Sequence, residues 1–146
     1  MDIDKTSECK LAYIAGLVDG EGYITLYYTK QGYFAPSVNV CMTSIKCINF
    51  LQGTTNMGTI SRRKLRETHN KQQYVWVVAK RFDIYSLLRA LYPYLILKKR
   101  HADVLLEFIE RRINEVPTDM YDKELVKKMS FLNKWEFSPK KTKELK

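Results

Sequence analysis

The stretch Ile14-Ala15-Gly16-Leu17-Val18-Asp19-Gly20-Glu21-Gly22 decides how the chain is read. It ends a segment, residues 7 to 19, that reads as a helix. Ser7 or Thr6 can cap the start, Glu8 suits the positive end of the dipole, and Leu11, Ile14, Leu17 and Val18 recur at helical spacing. Ala12, Gly16 and Gly20 lie four apart, so one face is nearly bare and a second helix backbone can approach it closely. Asp19 and Glu21 put two acids at the end of an apolar helix, where the dipole disfavours them. Glycines flank Glu21, leaving backbone free to approach a ligand or metal. A capped core helix with a Gly-rich exit turn accounts for any one of these features, but not for the ordered string.

Downstream the period switches from helical to two. Over residues 23 to 30, Ile24, Leu26 and Tyr28 share one face; Tyr23, Thr25, Tyr27 and Thr29 share the other. Gln31-Gly32 reads as a turn into a second strand over about 34 to 43, with Val38, Val40 and Met42 inward and Pro36 suited to an edge or strand start. Thr43 or Ser44 can cap a short helix carrying Ile45, Ile48 and Leu51, ended by Gly53. Two further strands, 58 to 64 and 73 to 79, flank a polar loop containing Arg66, His69, Asn70 and Lys71. Asp83 can cap the next helix, and residues 98 to 115 form the clearest amphipathic one, broken by Pro117. A last helix covers about 120 to 136, before a basic tail at 138 to 146. The order α-β-β-α-β-β-α followed by extra C-terminal helices is an α+β fold in one domain, 1 to 146, with its core at about 8 to 116.

The 146 residues, 45% hydrophobic and 28% charged, exclude a mainly disordered chain. No apolar run reaches the roughly 20 residues that span a bilayer, and a polar start to the chain resembles no secretory signal, so no membrane partner is expected. The net charge of +9 calls for a polyanionic partner. Cys9, Cys41 and Cys47 form no C-x-x-C pair, which suggests reduced thiols and an intracellular setting. His69 and His101 show no zinc-ligand spacing, and Gly20 and Gly22 follow a helix rather than lead into one, which argues against nucleotide binding.

Residues 14 to 22 closely resemble the signature of the LAGLIDADG homing endonucleases. The element order that follows matches that family's unit. The stretch Tyr92-Pro93-Tyr94-Leu95-Ile96-Leu97-Lys98-Lys99-Arg100-His101-Ala102 looks like its turn into the long C-terminal helix. The resemblance covers about residues 8 to 116.

That resemblance implies divalent-metal phosphodiester hydrolysis, with Mg²⁺ or Mn²⁺ as cofactor. Glu21 would be the metal ligand, assisted by the Gly20 carbonyl, and Lys98 would stabilise the nucleophile or the charge developing on phosphorus. Glu21 stands where Asp is more usual. The positions that often carry a polar side chain and an Arg match Ser44, which can still order a water, and Ile48, which cannot replace a cation; Lys46 is a possible substitute. With one copy of the motif, the resemblance implies a C₂ homodimer packed along Ala12, Ala15, Gly16 and Asp19, with Asp19 holding the helix ends and a site shared between copies.

It also implies an antiparallel sheet laid in the major groove of double-stranded DNA. Parity then nominates Thr25, Tyr27, Thr29, Gln31, Ser37, Asn39, Cys41, Ser61, Arg63, Gln73, Val75 and Val77 as base readers, with Arg63 suited to guanine. Tyr33, Arg62, Lys64, Arg66 and Lys71 suit phosphates. The expected function is a site-specific double-strand endonuclease cutting a near-palindromic site. The alternatives are a non-cleaving maturase acting on intron RNA, a DNA-binding regulator of the same fold, and a basic structural RNA-binding module.

Overall fold

A computed structural model of the chain describes residues 3–65 and 71–135. Arg66, His69, Asn70 and the 138–146 tail lie outside the described residues. The elements are a 3₁₀ turn at Ile3–Lys5, α1 Glu8–Glu21, β1 Gly22–Tyr28, β2 Phe34–Met42, α2 Ile45–Thr55, β3 Thr59–Arg62 and β4 Tyr74–Val78. They continue with α3 Arg81–Leu91, a 3₁₀ turn at Tyr92–Tyr94, α4 Lys99–Ile113 and α5 Met120–Trp135. The antiparallel sheet has the order β1-β2-β4-β3.

The expected parity holds across the sheet. Register pairs Ile24 with Val38, and Val38 with Val78; Val40 pairs with Trp76. All of these side chains are buried on the face that receives the helices. Together with Ile14, Val18, Leu87, Leu105 and Phe108 they form one continuous core. Pro36 sits where β2 has only β1 beside it, because pairing with β4 starts at Val38. Its missing N–H therefore interrupts no ladder on the β4 side.

Several element ends differ from the sequence reading. Helix α1 runs through Gly20 to Glu21, because its stop is set by Gly22. A Cβ on Gly22 would lie 2.4 Å from the Val18 carbonyl oxygen, so only glycine lets the chain turn directly from helix into strand there. Helix α2 passes through Gly53 and ends at Asn56, which takes the left-handed conformation at φ 53°. Asp83 lies in the first turn of α3, whose cap position is Lys80. Strand β1 stops at Tyr28; Thr29 and Gln31 belong to a turn closed by Thr29 N–H to Tyr33 O at 2.8 Å and Gly32 N–H to Thr29 O at 3.0 Å.

The C-terminal helices brace this frame. Arg111 and Arg112 on α4 both bond the buried Asp122 carboxylate of α5, at 3.2 and 3.1 Å. Burial alone would raise the Asp122 pKa, but the Asp119 N–H and the two guanidinium groups hold it below its ordinary value. Further along α5, Asn133 Nδ2 donates to the Ile24 carbonyl at 3.2 Å, so α5 engages a backbone acceptor of β1.

Candidate functional site

The end of α1 is fixed by a long-range clasp. Asp19 is 8% exposed, and its carboxylate accepts the backbone N–H of Ile96 at 2.8 Å and of Lys98 at 3.1 Å. An acid unfavourable for α1's own dipole thus meets backbone donors at the start of α4. Lys98 answers from the other side: its Nζ donates to the Asp19 carbonyl oxygen at 2.5 Å. The cation therefore satisfies a terminal carbonyl of α1, where positive charge is favoured. Lys98 is 5% exposed, and burial lowers its pKa, opposed by the charges of Asp19 and Glu21.

Glu21 is the last residue of α1 and exposed, next in the chain to the exposed Gly20. An anionic, solvent-facing carboxylate and a buried cation thus share one end of the sheet. Ser44 lies at that end too, because Gly22 pairs with Val40 and Ser44 follows β2. Its Oγ caps α2 by accepting the Cys47 N–H at 3.3 Å. Ile48 is fully buried in the core, so it does not face the site, while Lys46 is exposed.

Beside this end, α1 presents an uncovered strip. A Cβ on Gly16 or Gly20 would meet nothing within 4 Å, and Ala12 is exposed. Tyr13, Ile96 and Leu97 are exposed apolar neighbours, Ile96 at 83%. Two residues expected on this strip are elsewhere. Ala15 is fully buried in the chain's own core, and Asp19 is engaged with residues 96 to 98. Residues 15 and 16 are about 100° apart on a helix, which turns Ala15 away from the strip and into the core.

The outer face of the sheet holds Tyr23, Thr25 and Tyr27 on β1, Ser37, Asn39 and Cys41 on β2, Val75 and Val77 on β4, and Thr59 and Ser61 on β3. Thr25 does not present itself to a ligand: it is 1% exposed, and its hydroxyl bonds Ser37 Oγ at 2.7 Å. Its neighbours Tyr23 and Tyr27 hydrogen-bond through their side chains, and burial with this contact raises the Tyr27 pKa. Tyr23 and Thr59, absent from the sequence-derived set, are exposed on this face; their strand parity was the signal. Thr29 and Gln31 stand in the β1–β2 turn, with Gln31 and Tyr33 exposed. Beyond β3, exposed Arg63 continues the ladder through its N–H to Gln73 O at 2.9 Å. Arg62, Lys64 and Lys71 are exposed at the same end.

An α-β-β-α-β-β-α frame, with an acid-bearing helix end at one edge of an open polar sheet face, defines a class known from solved structures. I-CvuI, solved with a DNA target, is 25% identical with a TM-score of 0.70, the match covering 86% of this chain and 82% of that one. An archaeal intron-encoded homing endonuclease, also solved on DNA, gives 20% and 0.70 over 90% and 86%. The group I intron-encoded enzyme I-CeuI gives 15% and 0.61 over 84% and 62%. No protein-family model and no curated protein sequence matches the chain. The chain thus has the fold of the LAGLIDADG homing endonucleases, and residues 14 to 22 carry one copy of a stretch that resembles their signature.

Proposed function

We propose that the chain is a site-specific double-strand DNA endonuclease, acting as a C₂ homodimer with Mg²⁺ or Mn²⁺ on a near-palindromic site. The observation that carries this reading is Glu21, exposed at the tip of α1 next to the uncovered Gly16–Gly20 strip, with Lys98 clasped beneath it. Among the described residues no three His, Cys, Asp or Glu side chains converge on a metal position. That donor set still fits Mg²⁺, which is commonly held by one or two carboxylates together with water and substrate phosphates. A twofold axis along the bare strip brings Glu21 of each copy to one place and covers exposed apolar surface at Tyr13, Ile96 and Leu97.

Bound divalent metal supplies an activated water and neutralises charge at the scissile phosphate. The chain's own groups do the rest. Glu21 and the Gly20 carbonyl offer hard oxygens, and the Lys98 ammonium places positive charge near the developing phosphorane. Ser44, whose Oγ caps α2, would order a water through its hydroxyl. The accessible outer-face residues Tyr27, Ser37, Asn39, Ser61, Arg63, Gln73, Val75 and Val77 would meet base edges, and Gln31 the DNA beyond the turn.

The test is cleavage of a plasmid library of candidate intron-insertion sites, with Mg²⁺ and with EDTA. A metal-dependent linear product that disappears in Glu21→Gln supports the reading. Binding without cleavage would turn it into a regulator or an RNA maturase. Sedimentation at a single-chain mass under binding conditions would remove the shared site.

A further inference from the structure

Three side chains on the outer face are joined into a closed set. Arg63 Nη1 donates to Gln73 Oε1 at 3.4 Å and to Cys41 Sγ at 3.9 Å, and the Cys41 thiol donates to the same Gln73 oxygen at 3.6 Å. The longer distances to sulfur reflect its size. A guanidinium has no acceptor, so it fixes the amide orientation: the oxygen of Gln73 must face Arg63 and the NH₂ must turn away. Both lone pairs of that oxygen are then engaged. What the cluster has left for a ligand are donors, namely the Gln73 NH₂ and the remaining N–H groups of Arg63.

We propose that Cys41, Gln73 and Arg63 act as one donor-only reading unit that selects guanine, with Cys41 as its positioning residue. The proposal rests on the DNA-binding reading above. A glutamine with both amide groups available pairs with adenine, accepting from N6 and donating to N7. Here the acceptor is already occupied, so adenine's amino group would meet no acceptor. Guanine offers O6 and N7, two acceptors side by side, which matches the donors left over. Cys41 would act without touching DNA, by holding the Gln73 oxygen inward.

The experiment is selection of binding sites from a randomised duplex library by the full chain, with metal withheld, followed by sequencing. The wild type should show one position per half-site at which guanine exceeds adenine by about tenfold, as expected for one good base contact. Arg63→Ala should abolish that preference and Cys41→Ala should reduce it to about threefold, while Cys41→Ser, which keeps a donor, retains it. Gln73→Glu exchanges the outward donor for an acceptor and should move the preference towards cytosine. A purely structural role for the cluster would not produce that change of base. A selected site whose preferences are the same in Arg63→Ala and Cys41→Ala, or which favours adenine at the affected position, overturns the proposal alone. A wild-type chain that enriches no sequence overturns the DNA-binding reading with it. Arg63 is exposed, so its variant keeps the test decisive should Cys41→Ala fold poorly.

Discussion

Asp19 and Lys98 hold each other twice: the Lys98 ammonium bonds the Asp19 carbonyl, and the Asp19 carboxylate bonds the Lys98 backbone N–H. The two ends of this clasp are 79 residues apart in sequence. It is what places a lysine beside the tip of α1. Removing the carboxylate should therefore loosen both segments. Asp19→Ala is expected to lower stability by about 3 kcal/mol, since two bonds to an ionised acceptor are lost from a buried site. Urea unfolding of the two proteins checks this, and a change under about 0.5 kcal/mol would show the clasp to be dispensable.

The pKa of Lys98 is lowered by burial, which disfavours its charged form in the folded state. Between that lowered value and 10.5, the unfolded chain binds more protons, so this group makes stability rise with pH through that window. Glu21 opposes the lowering. In Glu21→Gln the Lys98 titration, followed by the NMR shift of its ε-carbon, should move to lower pH. An unchanged or higher midpoint would mean that Glu21 does not act on Lys98.

Asp122 also makes stability rise with pH, but in the acid range and through a stabilising ion pair. Its pKa is held below 3.8, so its stabilising contribution is complete above that value and is lost as pH falls through the lower, folded-state value. Asp122→Asn should cost about 3 kcal/mol or more at neutral pH, because two arginines lose a buried partner. The difference from wild type should shrink in acid below about 4. Unfolding free energies measured between pH 2 and pH 7 test both statements; a pH-independent difference would contradict the ion-pair account.

Two glycines of the same motif should respond in opposite ways. Gly22→Ala drives a Cβ into the Val18 carbonyl and is expected to cost about 1–3 kcal/mol. Gly16→Leu meets no atom of its own chain, so the folded chain should be unharmed or gain about 0.5–1 kcal/mol from better helix propensity. The same leucine would block a second copy at the strip. Sedimentation should then show the mass falling to that of one chain; a dimer that persists in Gly16→Leu places the interface elsewhere.

Much of this arrangement was legible in the sequence because it rests on periodicity. The alternation Ile24, Leu26 and Val38, Val40 set which sheet face is buried, and the helix order followed from apolar spacing. Accessibility was not legible in the same way. Parity put Thr25 on the outer face, yet Ser37 and the flanking tyrosines take it out of reach. Ala15 adjoins Gly16 in sequence but points into the core. The role of Asp19 in holding helix ends came from the family resemblance and not from local pattern, because its partners are the N–H groups of Ile96 and Lys98. Helix ends were misread where a glycine, such as Gly53, was tolerated inside a turn of helix and Asn56 supplied the left-handed residue.

The bond from Asn133 to the Ile24 carbonyl has a consequence for how copies of the chain can meet. A bare strand edge is a template for adding another strand, and one backbone acceptor of the edge strand β1 is already taken by a side chain from α5. The opposite edge, β3, is four residues long and runs into Arg62 and Arg63, where like charges would face each other across any new ladder. Sheet-to-sheet growth is disfavoured at both margins. That leaves the uncovered helix strip as the surface on which the proposed dimer would form.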